Sequence, residues 1–173
     1  MNARAVSEAG FTLAELTIVI VVVSIAALFF SGMFAEAVRT YEFVGNEKTL
    51  LQEARYAEQR VERELMGAAG ASPWLRLHPT SVAFRSRDSS LVEIGWNGVR
   101  GGALVLRRNG VAHPLAEHVD SFALNYYRGD GAPAGFSSDA RAASAVRRVS
   151  LFLRLAHDGH AVDAVGAATL RAL

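Results

Sequence analysis

Cysteine is absent from the 173 residues. That excludes a disulfide-stapled scaffold and a thiol nucleophile, but it leaves the compartment open, because extracytoplasmic domains need not carry disulfides. Lysine is nearly absent too: Lys48 is the only one, and arginine makes up the rest of the 18 basic residues. Against 17 acidic residues this gives a formal net charge of +1, which offers no bulk attraction to nucleic acid or anionic lipid. No G-x-S-x-G elbow and no glycine-rich phosphate loop occurs, so the chain is not expected to be an enzyme and no cofactor is expected. Proline is missing between Phe11 and Ser72, and charge is missing between Leu16 and Ala35.

What is present in that uncharged region is hydrophobic surface. The segment FTLAELTIVIVVVSIAALFFSGMFA, from Phe11 to Ala35, contains a single charge, Glu15. From Leu16 to Phe34 only Thr17, Ser24, Ser31 and Gly32 interrupt the apolar run. A helix of roughly 20 apolar residues crosses a bilayer core, so the segment is long enough to span. Valine and isoleucine form helices weakly in water, but in lipid the backbone has no partner except itself. A cleaved secretory signal has a short apolar core followed by a small-residue site. Here the small residue, Gly10, comes before the apolar run. A plain anchor does not explain Glu15, because a carboxylate within an apolar helix costs at least ~2.5 kcal/mol near the bilayer centre, less near an end. A cut before Phe11 would create an α-amino group four residues from Glu15, and that group on one subunit would neutralise Glu15 on its neighbour.

The string G-FTLAELTIVI resembles the class III signal of type IV prepilins and pseudopilins: glycine, phenylalanine, Thr-Leu, then glutamate fifth after the cut. The resemblance implies that a membrane-embedded prepilin peptidase cleaves between Gly10 and Phe11, that Phe11 becomes N-methylated, and that Glu15 serves subunit assembly. It also implies as partners other pilin or pseudopilin subunits and an inner-membrane assembly platform. The implied location is the bacterial inner membrane, single pass with a periplasmic C-terminal domain, and then the pilus or pseudopilus. Two features depart from the family pattern. The leader MNARAVSEAG holds only Arg4 as a basic residue, opposed by Glu8, so the positive-inside bias is weak. Ser31-Gly32 stands where major pilins often have proline, and glycine loosens a helix by only ~1 kcal/mol relative to alanine.

Beyond Glu36 the pattern is amphipathic up to residue 70. Leu50, Ala54, Ala57, Val61, Leu65 and Ala68 recur every three or four residues and so share one helix face. Glu53, Arg55, Glu58, Arg60, Glu62 and Arg63 form a charged face, expected to be solvated. Arg55/Glu58 and Arg60/Glu64 have the spacing of intrahelical ion pairs. Gly45-Asn46 is the weak point of a helix that the run Gly67-Ala-Ala-Gly-Ala-Ser-Pro73 ends.

From 71 to 173 the period is two. Val82 and Phe84; Val92, Ile94 and Trp96; Leu104 and Leu106; Phe122, Leu124 and Tyr126; and Val149, Leu151, Leu153 and Leu155 predict strands. Asn109-Gly110 and Asp158-Gly159 predict tight hairpin turns, the second returning through Ala161–Leu170. Gly131–Ala145 reads as a loop. The expected fold is α+β: a long N-terminal helix, transmembrane in its first half (11–35), with its amphipathic half packed on a C-terminal antiparallel sheet, preceded by a leader over 1–10. Glu62-Arg63-Glu64-Leu65 closing the helix, Leu104–Arg107, Pro114-Leu115, Val119, Phe122 and Tyr126 before Gly-Asp-Gly, and Val146–Leu153 resemble the larger minor members of the family, the W type of type IV pili and the J type of type II secretion.

Other chemistry ranks lower. His157-Asp158-Gly159-His160 places metal-ligand residues together, but Asp-Gly is where the hairpin needs its turn, so the turn is the preferred reading. His78, His113 and His118 read as isolated surface or strand-edge residues. Asp130 and Asp139 flank a loop in the manner of a calcium site but lack fixed ligand spacing, so no metal is assigned. From Gly70 onward twelve arginines face eight acids, with Trp74 and Trp96 as candidate stacking residues, an excess too small to read as a nucleic-acid surface. The sequence therefore predicts a minor pilin or pseudopilin that joins, and helps initiate, a filament. The competing readings are a tip module binding DNA, a surface or an exported substrate, and a plain membrane-anchored domain.

Overall fold

The structure is a computed structural model that describes residues 11–68, 73–136 and 145–170. Among the described residues are the helix α1 (Leu13–Met66) and, after it, the strands β1 (Trp74–His78), β2 (Ser81–Arg85), β3 (Leu91–Trp96), β4 (Gly102–Arg108), β5 (Val111–Arg128), β6 (Pro133–Ala134), β7 (Val146–His157) and β8 (His160–Thr169). The chain divides into two compact units, one ending at Val44 and the other beginning at Gly45. The helix is unbroken at that glycine.

In the first unit the large apolar side chains from Phe11 to Val44 are exposed, including Ile18, Val22, Phe29, Phe30 and Phe34. The helix is long and apolar enough to cross a membrane, as a single-pass anchor would be. Its hydroxyls are satisfied within the helix: Thr17 Oγ1 donates to the Leu13 carbonyl at 2.9 Å, Ser24 Oγ to Ile20 at 2.7 Å and Ser31 Oγ to Leu28 at 2.9 Å. No polar group in the apolar run therefore needs water, which is the condition lipid imposes.

The second unit is α+β, with the later part of α1 packed on an antiparallel sheet. Leu50, Ala54, Ala57, Val61, Leu65 and Ala68, the stripe read from the sequence, are all buried and join one core with Phe84, Ile94, Leu106, Leu124, Leu151 and Leu153. Four of the six are small or β-branched, so the helix can approach the sheet closely. Its end is tied down. Gly67 N donates to the Arg63 and Glu64 carbonyls, and Arg87 N donates to the Gly67 carbonyl at 3.1 Å.

The strands run in the order β1-β2-β3-β4-β5-β7-β8, each pair antiparallel, with β6 pairing β5. The turns expected at Asn109-Gly110 and Asp158-Gly159 are present. Both residues of each turn have positive φ (49° and 86°; 48° and 80°), the type I′ geometry that suits the twist of flanking strands. β5 is longer than its apolar residues suggest, starting at Val111 and running 18 residues. Its first part pairs β4 and its second part pairs β7. The two regimes meet at a register shift around His118, whose φ is +53°, a bulge that bends the strand and lets the sheet curl. On the other edge of its second part, Leu124 N donates to the Pro79 carbonyl at 2.7 Å, and β6 covers Tyr126 and Tyr127.

Two sequence expectations need correction here. The stretch from Gly131 is not loop throughout, because Pro133–Ala134 pairs with β5. Trp74 is not available for stacking on a ligand: it opens β1 fully buried, edge-on to Phe84 at 5.7 Å.

Candidate functional site

The sequence singles out Gly10, Phe11 and Glu15. Gly10 lies outside the described residues. Phe11 is exposed, just ahead of the helix. Glu15 takes part in a capping box with Thr12, an arrangement the spacing T-x-x-E signals but the assembly reading passed over. Thr12 Oγ1 accepts from Glu15 N at 3.2 Å. Thr12 N donates to Glu15 Oε2 at 3.1 Å, and the Thr12 hydroxyl donates to the same oxygen at 3.1 Å. Two of the helix's orphan N–H groups are thereby satisfied, and the negative carboxylate sits at the positive end of the helix dipole. All three contacts are exposed, and the two that the carboxylate makes both use Oε2. Among the described residues Oε1 has no partner. The carboxylate is thus fixed in place at the start of the apolar helix and still open on one side to an incoming cation.

In the second unit the charged helix face is not simply solvated. Glu53 Oε1 accepts the Glu117 N–H at 2.6 Å, and Glu62 Oε1 accepts the Ala167 N–H at 2.6 Å. Glu58 lies beside Glu62 against Gly166. A side chain at Gly166 would meet Glu62 Oε1 at 2.5 Å and Glu58 Oε1 at 2.9 Å. Burial first, and then the Glu62 charge, push the Glu58 carboxyl above its ordinary pKa, with Arg55 opposing. Glu64, only 5% exposed, is held between Arg60 at 2.8 Å and Arg108 at 2.6 Å. Arg108 continues to Asp88 at 2.9 Å. The Ser90 hydroxyl and then the Ser90 N–H hold the Asp88 carboxyl below its ordinary range, with the Arg108 charge adding to the effect. Glu53, Glu62 and Glu64 lock the helix to the sheet.

The secondary candidates resolve as follows. His157 and His160 face each other across the Asp158-Gly159 turn. His118 is not isolated: its ring stacks on His157, centroids 3.8 Å apart. Among the described residues no cluster of three or more His, Asp or Glu is placed to hold a metal. His78 Nδ1 bonds Thr80, and His113 is exposed on β5. Asp130 accepts the Ala132 N–H at 2.9 Å and pairs with Arg128 at 3.8 Å, a turn cap. Asp139 lies outside the described residues. A cleft of about 500 Å³ is lined by Tyr127, Arg128, Arg147 and Arg148, with the Arg148 guanidinium 6.0 Å from the Tyr127 ring. No family model, curated protein or solved structure matches the chain.

Proposed function

We propose that this chain is a filament subunit of the type IV pilin class, a minor pilin or pseudopilin, cut by a prepilin peptidase between Gly10 and Phe11. The observation that carries the reading is Glu15: the only charge between Phe11 and Ala35, set at the head of an exposed apolar helix, with one carboxylate oxygen free among the described residues. Before assembly the apolar helix lies in the inner membrane and the sheet domain in the periplasm. Cleavage and N-methylation leave a cationic amine at Phe11. In a bundle of such helices that amine on one subunit pairs with Glu15 on the next, and the two charges neutralise each other in low dielectric, where an unpaired carboxylate is expensive. The second unit supports a structural rather than catalytic role. Glu53, Glu62 and Glu64 hold the helix to the sheet, and the domain is the part a filament would display.

The test is the N-terminus of the protein recovered from membranes, by intact mass and sequencing. The reading expects N-methylated Phe11. A chain starting at Met1 in cells with active prepilin peptidase would sink it and leave a plain membrane-anchored domain.

A further inference from the structure

We propose that the free edge of β8 is a docking slot for an extended strand of another polypeptide, one that carries a cationic side chain opposite Asp163. The proposal concerns the second unit alone and stands whether or not the chain joins a filament.

The geometry comes from alternation. β8 pairs β7 without a register break from His160 to Thr169. The Asp158-Gly159 turn closes on the pair His157/His160, and Leu170 N donates to the Arg147 carbonyl. Even-numbered residues of β8 therefore bond β7, and the N–H and C=O groups of the odd-numbered ones point out of the sheet. The Ala167 N–H confirms the direction, since it leaves the edge and is taken by Glu62. The outward groups of Ala161, Asp163 and Val165 have no partner among the described residues. Such a row of alternating donors and acceptors is chemically specific for an extended strand.

Two other edges among the described residues are met or blunted. The inner edge of β5 is met by the Pro79 carbonyl and by β6. The other outer edge, β1, is five residues long, broken by an irregularity between Trp74 and Arg76, and carries an exposed arginine. β8 has ten residues with no proline, no arginine and no bulge. Its outward side chains are Ala161, Asp163, Val165 (69% exposed) and Ala167. Asp163, the one charge among them, lies 3.4 Å from Arg154 on β7, a guanidinium it shares with Asp120 at 4.0 Å.

The occupant follows from charge and from the stop at Ala167. Pairing the edge with itself, antiparallel over its full free length, sets Asp163 against its own counterpart, and like charges directly opposite are destabilising. Sliding the register one way to avoid this runs each strand into Ala167, whose N–H Glu62 occupies, and sliding it the other way runs into the Asp158-Gly159 turn and leaves only Ala161 and Asp163 of each strand paired. A different chain with lysine or arginine at the central position meets neither obstacle. Glu62 also sets the length, because the guest strand ends at Val165.

The test is NMR on the isotope-labelled full chain in detergent micelles. It is titrated with a blocked peptide of alternating threonine and valine bearing one central lysine, and with the same peptide bearing glutamate. The expected result is shifted, exchange-protected amides at Ala161, Asp163 and Val165, and a preference of about threefold to fivefold for the lysine peptide. Val165→Pro removes an outward N–H that β7 does not use and should abolish binding, whereas Val165→Thr should retain it. If the proline variant does not fold, Asp163→Lys gives the second reading, and the preference should switch to the glutamate peptide. Slow exchange at these three amides before peptide is added, no binding of either peptide, equal binding of both, or binding unchanged in Val165→Pro or Asp163→Lys would each overturn the proposal.

Discussion

At Glu15 the cap and the proposed assembly role coincide, and one substitution separates them. Glutamine keeps the capping box, because its side-chain carbonyl still accepts the Thr12 N–H, but it removes the charge. Glu15→Gln is therefore expected to leave helicity and membrane insertion unchanged while filament assembly is lost, read by circular dichroism and by the amount of the subunit recovered in sheared filaments. Normal filaments from this variant would reduce Glu15 to a cap. At Glu64 the expectation concerns stability. Glu64→Ala removes the buried carboxylate that Arg60 and Arg108 share and leaves Arg108 only Asp88, which should cost about 1–3 kcal/mol in urea unfolding. Glu58 gives a pH signature. Its folded-state carboxyl binds protons more readily than a free glutamate, so its contribution to stability is fully present below the ordinary glutamate pKa and is lost as pH rises through the raised folded pKa. Glu58→Gln should raise the melting temperature at about pH 7 and leave it nearly unchanged at about pH 4.

At the scale of elements, the contact between helix and sheet depends on a narrow stripe. Leu65→Ala, at a fully buried position, should cost about 2–5 kcal/mol. Gly166 is where β8 passes under the two glutamates. Alanine there displaces the ends of flexible side chains rather than backbone, so its cost is the lost bond between Glu62 and Ala167, on the order of 1 kcal/mol. That cost should largely vanish in a Glu62→Ala background, and a double-mutant cycle by thermal melts measures it. Tyr126 joins β5 to the β1–β2 turn through its hydroxyl, 2.9 Å from the His78 carbonyl, and burial pushes its pKa upward.

For the whole molecule, the division at Gly45 separates an apolar helical unit from one with its own core. A chain beginning at Gly45 is expected to be soluble and to unfold cooperatively, while the full chain stays with the membrane fraction after carbonate washing. Aggregation of the shortened chain, by light scattering, would mean that its core is incomplete. Such a domain, freed from the membrane, is also the form in which an unblunted β8 edge would be most exposed to other chains.

Several features were determined by local rules alone and were legible in the sequence. The apolar run dictates a helix long and apolar enough to cross a membrane. The stripe from Leu50 to Ala68 follows from the helical period, and its members are buried together. Asn-Gly and Asp-Gly sit where positive φ is needed twice in succession. The remaining features belong to contacts that no local rule reaches. Which carboxylates dock was decided by partners distant in the chain: 44 residues separate Glu64 from Arg108, 64 separate Glu53 from Glu117, and 105 separate Glu62 from Ala167. The burial of Trp74, the bulge at His118 and the open edge of β8 likewise arise only when the strands are ordered and curled. A charged residue on a helix reads as solvated until a strand's unpaired N–H arrives beside it, and only the tertiary structure brings that strand there.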